Sequence, residues 1–300
     1  MKHAGFTYFI IPSQFLFLIG CLCTYNLCFS QAIKKHLIPV ADSKIYIEES
    51  GQGPALLLLH GGLLDHRMWE QQVGELNKQF RVLNCDMRKH GLTQDGDSTF
   101  LNSTALALIL DSLGVRKTHI MGLSFGAVAA VDLVLAHPHR IDKLILAAPG
   151  LIGYDLNHDP ILVANQRQEN AAKQRGDTLN YVEYFLRSWT DGPHRSPTTV
   201  DAQLRTRIKQ MVSDNLKQHQ WATSLSFKND PLPINQLGSI SSPTLVLVGN
   251  QDMHDILAIS DILYRKIPRA KRVIIPGAAH MLNLEQPALF NQAVTAFLLN

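Results

Sequence analysis

Cysteine is scarce in this sequence and unevenly placed. Of the 4 cysteines, three lie at positions 21, 23 and 28, and Cys85 is the only one beyond them. A lone cysteine has no partner for an internal disulfide, so the body of the chain must be stabilised by its apolar core. Hydrophobic residues make up 46% of the chain, which is enough for a large core, and we expect Cys85 to be a small buried residue at a strand end.

Blocks of one charge sign are also missing. The 28 lysines and arginines and the 25 aspartates and glutamates are interleaved along the chain. Nucleic-acid-binding proteins usually cluster basic residues and alternate them with aromatic ones, and neither pattern occurs here. We therefore expect no nucleic-acid partner.

The sequence has no stretch with the spacing of a metal site or a nucleotide site. The histidines at 137 and 139 and the stretch Asp252–Asp255 lack a third partner at zinc-like spacing. The stretch "GLSFG" at 122–126 lacks the Gly-Lys-Ser/Thr ending of a phosphate loop. We expect neither a metal nor a cofactor.

Formal charge is almost absent from the first thirty residues. No Asp, Glu, Lys or Arg occurs between Lys2 and Lys34, and this window contains the apolar run "FLFLIGCLC". The pattern predicts that residues 1–30 are an export signal. The sequence leaves three alternatives for how this signal is processed. Ser30-Gln31-Ala32 is typical of a cleavage site, and the stretch ending at Cys21 is typical of lipidation. An uncleaved membrane anchor is the third alternative. All three place the body of the protein outside the cytoplasm, in the periplasm or secreted.

Short apolar segments alternate with helical ones after the signal. The run Ala55–Leu59 is apolar at every position, which favours a central strand of a parallel sheet covered on both faces. Three further strands are predicted in "FRVLNCDMR", "THIMGLS" and "IDKLILAAPG", and the intervening helices in "STALALILDSLGV" and "AVAAVDLVLAHP". This alternation predicts an α/β fold with a mostly parallel central sheet, whose functional residues lie at the carboxyl ends of the strands.

The strand pattern stops at about residue 151 and resumes at about residue 239. The intervening stretches are polar and helical, whereas "SPTLVLVGNQD" and "AKRVIIPGAAH" predict two more strands and "PALFNQAVTAFLL" a last helix. We therefore predict a core formed by residues 36–150 and 239–300, interrupted by a helical cap at 151–238.

Ser124 lies between two glycines, in Gly122-Leu123-Ser124-Phe125-Gly126, directly after a predicted strand and before a predicted helix. In a G-x-S-x-G turn the glycines let the backbone pass tightly, so that the serine projects at the start of the next helix. This context favours Ser124 as a nucleophile rather than as a capping residue.

A serine nucleophile needs a base and an acid that orients the base. Asp252 follows the strand "LVLVG", and His280 follows the strand "RVIIP" in a Gly/Ala loop. The order Ser, Asp, His is the one that the serine turn predicts. Asp255 is the alternative acid, disfavoured because it lies further past its strand.

The oxyanion that forms during acyl transfer needs hydrogen-bond donors. One is predicted to be the backbone N–H of Phe125, and the other to come from the turn His60-Gly61-Gly62-Leu63, with Gly62 favoured and Leu63 as the alternative. We assign a structural hydrogen-bonding role to His60 and His90.

Several bulky residues are predicted to form the substrate pocket. Trp69, together with Phe125, is expected on the acyl side, and Trp189 on the cap side. The full set of predicted substrate-binding residues is Leu63, Trp69 and Trp189, with Trp221 and Tyr184 as further candidates in the cap.

Five motifs, in this order, resemble the α/β-hydrolase superfamily, in the branch that contains esterases, lactonases, haloperoxidase-like esterases and carbon–carbon bond hydrolases. They are "LLLLHGGLLDHRMW", "DMRKHGLT", "LDSLGVRKTHIMGLSFGAVAA", "PTLVLVGNQD" and "IPGAAHMLNLEQP", and the resemblance covers about Ile38 to Leu299. It implies the same nucleophile, base, acid and oxyanion donors as above. Branches with an aspartate nucleophile, the haloalkane dehalogenases and epoxide hydrolases, are disfavoured because position 124 is serine.

The expected function is that of an exported serine hydrolase, which cleaves small-molecule carboxylic esters or lactones through an acyl-enzyme without a cofactor. A mono-ester or macrolactone, including a macrolide-type ring, is favoured over a triglyceride because the cap is polar. The alternatives are a carbon–carbon bond hydrolase and a non-catalytic ligand-binding protein of the same fold. Contact with a membrane is expected only if Cys21 is lipidated or the signal is uncleaved, and the sequence defines no oligomeric state.

Overall fold

Short, continuous apolar runs form the centre of the sheet. All five side chains of Ala55–Leu59 are buried, as expected for a strand covered on both faces. In the computed structural model, which describes residues 32–97, 101–219, 227 and 230–300, eight strands form one sheet. They are β1 (Lys34–Val40), β2 (Ser43–Ser50), β3 (Ala55–Leu59), β4 (Arg81–Cys85), β5 (Thr118–Leu123), β6 (Ile141–Ala147), β7 (Thr244–Gly249) and β8 (Ala270–Ile275).

The strand order is β1-β2-β4-β3-β5-β6-β7-β8. β2 pairs with β1 and β4 in antiparallel fashion, and the remaining neighbours are parallel, so the predicted mostly parallel sheet is confirmed. β5 and β7 are buried at every position, whereas the edge strands β1 and β8 are partly exposed. The carboxyl ends of β5, β7 and β8 therefore lie at one edge of the sheet.

Helices connect the parallel strands and cover the sheet. Among the described residues the α-helices are α1 (Glu70–Leu76), α2 (Asn102–Ser112), α3 (Phe125–Ala136), α4 (Pro160–Gln174), α5 (Thr178–Leu186), α6 (Ala202–Gln218), α7 (His254–Lys266), α8 (Leu282–Glu285) and α9 (Pro287–Leu299). α3 buries mainly alanine and valine, whose small side chains allow close packing on the strands. Cys85 is buried at the end of β4, as expected, and burial raises the pKa of its thiol.

The chain leaves the sheet between β6 and β7. We call residues 151–238 the cap segment; its described part carries α4, α5, α6 and the π-helical turn Arg187–Asp191. Each of its three α-helices begins at an aspartate whose carboxylate accepts backbone N–H groups of the first turn, namely Asp159, Asp177 and Asp201. These caps pair N–H groups that a helix leaves without partners, which stabilises each helix by about 0.5–2 kcal/mol.

The start of the cap segment is bonded to the start of α7. Asp255, which is fully buried, accepts hydrogen bonds from Tyr154 Oη at 3.2 Å and from the N–H groups of His158 and Asp159 at 3.1 Å. Asp159 in turn accepts the N–H of His254 at 3.0 Å. This reciprocal pair of carboxylates fixes where α4 begins relative to the sheet.

The end of helix α6 in the cap segment is bonded to the loops after β3 and β4. Asn215 of α6 accepts the N–H of Gly91 at 2.7 Å and donates to Asp65 Oδ2 at 3.0 Å. His219 Nδ1 lies 2.8 Å from Asp95 Oδ2. The described residues between 32 and 300 accordingly form one compact unit.

Two predictions fall outside the described residues, namely the export signal at 1–30 and the pocket role of Trp221. Within the described residues, no helix combines the length and the apolar character needed to cross a membrane.

Candidate active site

Ser124 occupies the tight turn between β5 and α3. Its backbone has φ 55° and ψ −111°, a left-handed conformation that strains every residue except glycine. A Cβ atom on Gly122 would lie 2.1 Å from the carbonyl oxygen of Gly126, and one on Gly126 would lie 2.1 Å from that of Leu59. The N–H of Ser124 donates to Ala147 O at 2.9 Å. Both glycines of the motif are therefore required by the close approach of backbone segments.

Replacing Gly126 with alanine is expected to destabilise the fold by about 3 kcal/mol or more, because the new methyl group meets the rigid carbonyl of Leu59. The matched control is Gly74→Ala in α1, where an added Cβ meets nothing within 4 Å. That variant should gain about 0.5–1 kcal/mol from helix propensity. Urea denaturation followed by circular dichroism measures both, and equal stability of the two variants would contradict the steric account.

His280 and Asp252 form a buried pair after β8 and β7. His280 Nδ1 lies 3.0 Å from Oδ2 and 3.1 Å from Oδ1 of Asp252, and the side chains are 2% and 0% exposed. Asp252 Oδ1 also accepts the N–H of Met253 at 2.8 Å, which fixes the carboxylate. The rival acid, Asp255, is engaged instead by the first residues of the cap segment. The Asp252 carboxylate can hold the imidazole in the tautomer that carries its proton on Nδ1, which leaves Nε2 able to accept a proton.

Ser124 and His280 line the same cavity, whose volume is about 290 Å³. No hydrogen bond joins their side chains among the residues that the structure describes. Such contacts are often long in the absence of substrate and tighten when substrate binds. The core side of the cavity is lined by Gly62, Leu63, Ser124, Phe125, His280 and Met281.

Backbone N–H groups border the cavity beside Ser124. A Cβ atom on Gly62 would lie 3.7 Å from Phe125 Cβ, so the turn after β3 lies against the serine turn. The N–H groups of Gly62, Leu63 and Phe125 have no hydrogen-bond acceptor in the described part of the chain. Leu63 has φ 59°, a second strained non-glycine residue at the site. Gly62 and Leu63 therefore both stay open as partners of Phe125 in an oxyanion hole.

The cap segment supplies the opposite wall of the cavity. Trp189 of the π-helical turn lies against His280, with ring centroids 4.6 Å apart. Tyr181 and Phe185, four residues apart and so on one face of α5, also line the cavity, as does Glu169 of α4. Leu63 and Trp189, both predicted to bind substrate, thus line the cavity, and their contact with a substrate stays a prediction.

Two aromatic predictions for the pocket are wrong. Trp69 is fully buried away from the cavity, where it packs against Phe290 of α9 with ring centroids 6.2 Å apart. The guanidinium of Arg187 lies over the ring of Tyr184, with its Cζ atom 5.3 Å from the ring centroid, and Tyr184 does not line the cavity. In both cases the phase of the local helix turns the ring away from the pocket.

His60 and His90 are buried beside the site in structural roles. His60 Nε2 accepts the N–H of Met87 at 3.0 Å, and His90 Nδ1 lies 2.8 Å from Arg88 O. Burial lowers the pKa of His60 to about 4 and that of His90 to about 3. Both rings are therefore neutral at physiological pH, and they order the loops after β3 and β4.

Glu169 is a cavity residue that no sequence pattern indicated, because it lies in a polar helical stretch. Its side chain is buried, and Oε1 accepts a long hydrogen bond from Ser188 Oγ at 3.4 Å. Burial raises the pKa of Glu169 to about 7. Burial, followed by the nearby charge of Glu169, raises the pKa of Tyr181 to about 12.

One group of potential metal ligands occurs among the described residues. Asp65, His66 and Asp86 have ligand atoms within 4.8 Å of one another. Those atoms are already engaged, since Asp65 accepts from Arg67 at 2.7 Å and His66 Nδ1 lies 2.8 Å from Asp86 Oδ2. We therefore assign the group to the structure of the loops after β3 and β4.

The sheet order, the strained serine turn and the histidine–aspartate pair at one sheet edge define an α/β-hydrolase. A model of the alpha/beta hydrolase fold family matches residues 54–287, and the chain therefore belongs to this family of hydrolases. The resemblance inferred from the five motifs is confirmed.

Similar proteins include hydrolases of two kinds. The 2-hydroxy-6-oxo-6-phenylhexa-2,4-dienoate hydrolase of Burkholderia cepacia is 25% identical over 286 residues, which covers 87% of this chain and 93% of that protein. The pimeloyl-[acyl-carrier protein] methyl ester esterase of Nitrosomonas europaea is 26% identical over 258 residues, covering 83% and 97%. A solved structure of a thermophilic esterase from Thermogutta terrifontis has a TM-score of 0.74 and 26% identity, covering 89% and 98%.

Proposed function

We propose that the protein hydrolyses small carboxylic esters through an acyl-enzyme intermediate on Ser124. The observation that carries this proposal is the buried contact between Asp252 and His280, made beside the cavity that Ser124 lines. A histidine held by a carboxylate can take the proton of a serine hydroxyl, and the three chain positions have the order that this fold uses.

In the proposed mechanism, Ser124 Oγ attacks the ester carbonyl while His280 Nε2 takes its proton. Asp252 keeps the Nδ1 proton of His280 in place and stabilises the imidazolium that forms. The N–H of Phe125, with that of Gly62 or Leu63, stabilises the oxyanion. His280 then protonates the leaving alcohol, and the same histidine activates the water that releases the acid.

The size of the cavity bears on the substrate. A volume of about 290 Å³ is at the lower end of the range for small-molecule pockets. It fits the acyl or alcohol group of a small ester or lactone better than a macrolide-type ring, so small esters are our first choice. Aromatic residues and leucines in the wall favour a substrate with apolar groups on one side of the carbonyl.

Carbon–carbon bond hydrolysis is the second candidate function. It is favoured by the similarity to the hydrolase of Burkholderia cepacia, whose name describes a dienoate that carries a ketone. The two functions share the site and differ in the substrate that is cleaved. Esters and vinylogous diketones offered in parallel to the purified protein separate them.

The test is covalent labelling. A fluorophosphonate probe is expected to label the purified protein at Ser124, because an activated serine reacts with phosphorus as it does with an ester carbonyl. Mass spectrometry of the digested protein locates the adduct, and Ser112→Ala, an exposed serine of α2, is the control variant that should label as the wild type does. An unlabelled wild-type protein, or an adduct at another serine, would refute the proposal.

A further inference from the structure

Glu169 is a carboxyl group in the wall of the cavity that has no basic partner among the described residues. It is the only Asp or Glu among the described lining residues, which include neither Lys nor Arg. The residue is 9% exposed, and the described part of the chain offers it only the 3.4 Å hydrogen bond from Ser188. Burying a carboxyl group with so few partners is unfavourable unless a ligand supplies the missing ones.

Two other acids of the cap segment, Glu183 and Asp191, do have basic partners. Glu183 accepts hydrogen bonds from Arg187 and Arg205, each at 3.0 Å, and Asp191 accepts from Arg205 at 2.9 Å. The cap segment therefore contains arginines near some of its acids, yet no arginine in its described part pairs with Glu169. In this respect Glu169 differs from Glu183 and Asp191, whose charges are balanced by arginines.

Aromatic rings surround the same cavity. Phe125, Tyr181, Phe185 and Trp189 all line it together with Glu169. The faces of aromatic rings attract cations, and most strongly where water is excluded. Among the described lining residues, the one imidazole outside the proposed triad is that of His90, and it is neutral because burial lowers its pKa to about 3. A carboxyl group among aromatic rings, with no Lys or Arg among the described lining residues, is an arrangement that can recognise an ammonium group.

We propose that Glu169 is a specificity-determining residue, and that the preferred substrates are esters carrying a quaternary or protonated amine, whose cation lies against Glu169 and the aromatic rings of the cap segment. This inference rests on the proposed function, because it describes which ester reaches Ser124. Glu169 takes no part in bond breaking. It contributes by holding one end of the substrate while the carbonyl lies at the serine.

Two pairs of esters that differ in one charge test the proposal. Butyrylcholine and 3,3-dimethylbutyl butyrate have the same shape, with nitrogen replaced by carbon in the alcohol. Methyl 4-(trimethylammonio)butanoate and methyl 5,5-dimethylhexanoate place the same difference in the acyl group. The wild-type full chain is expected to show a kcat/KM roughly 10- to 100-fold higher for the cationic member of at least one pair.

Substitution of Glu169 tests whether this residue causes the preference for the cationic ester. Glu169→Gln should abolish the preference, so that kcat/KM for the cationic ester and kcat/KM for its neutral partner agree within about twofold. The matched control is Glu183→Gln on α5, which removes the same charge outside the cavity and should keep the preference. A wild-type protein without preference in either pair overturns the proposal, and so does a preference that survives in Glu169→Gln.

A binding measurement separates this inference from the proposed function. Butyltrimethylammonium is titrated into Ser124→Ala, which cannot turn over an ester, and its Kd is measured by calorimetry. Binding that weakens by roughly tenfold or more in Ser124→Ala with Glu169→Gln supports the ammonium site even if no ester is hydrolysed. Equal Kd values for the two proteins refute the site, whatever the outcome of the probe labelling.

Discussion

Ser124→Ala is expected to lower kcat for a short p-nitrophenyl ester by about 10⁴-fold or more, because the variant lacks the hydroxyl oxygen to which the acyl group bonds. Stability should stay within about 0.5 kcal/mol of the wild type. Alanine keeps the Cβ atom and hence the same backbone strain at φ 55°, and no hydrogen bond of the Ser124 hydroxyl is found among the described residues.

Steady-state kinetics and thermal denaturation measure the two quantities on the same preparation. Ser112→Ala serves again as the control, since that residue is exposed on α2 and should change neither quantity. Turnover by Ser124→Ala within tenfold of the wild-type rate would remove Ser124 from the mechanism. A large loss of stability would instead show that the turn depends on the hydroxyl.

Asp252→Asn is expected to reduce kcat by roughly 10⁴-fold while the fold is kept. The asparagine amide can donate to Nδ1 of His280, which leaves the imidazole in the tautomer that cannot take the serine proton at Nε2. Because Asp252 contacts His280 and is not among the described residues that line the cavity, the loss should fall mainly on kcat rather than on KM.

Asp255→Asn is the matched control for this prediction, since Asp255 is three positions away and equally buried. It should lower the free energy of unfolding by about 1–3 kcal/mol, because the carboxylate accepts backbone N–H groups at the start of the cap segment. Its kcat should stay within about tenfold of the wild type. The reverse result, with activity lost mainly in Asp255→Asn, would make Asp255 the acid.

The sheet and the positions of the proposed catalytic residues could be predicted because they depend on local patterns. Ala55–Leu59 is a strand by its continuous apolar character, and it has those limits in the structure. Ser124, Asp252 and His280 each follow a predicted strand, and the carboxyl ends of parallel strands meet at one edge. β1 was missed because its edge position leaves Lys34, Lys35 and Leu37 exposed, so it lacks the apolar run of a central strand.

The pocket wall could not be predicted to the same extent, because side-chain direction depends on packing between distant segments. Trp69 turns away from the cavity to meet Phe290, which is far away in the sequence. Tyr184 and Tyr181 lie on the same helix, and only the docking of α5 on the core decides that Tyr181 lines the cavity. Glu169 lies among polar residues, where nothing in the local pattern marks a buried side chain.

At the strained turn, serine is required for the proposed reaction but lowers the stability of the fold. A left-handed φ of 55° is unfavourable for serine and costs glycine nothing, so Ser124→Gly is the change by which this turn would gain stability, by about 1 kcal/mol or more. The same change deletes the proposed nucleophile. Directed evolution for heat resistance alone would therefore tend to inactivate the protein at this codon, and libraries need a simultaneous screen for turnover.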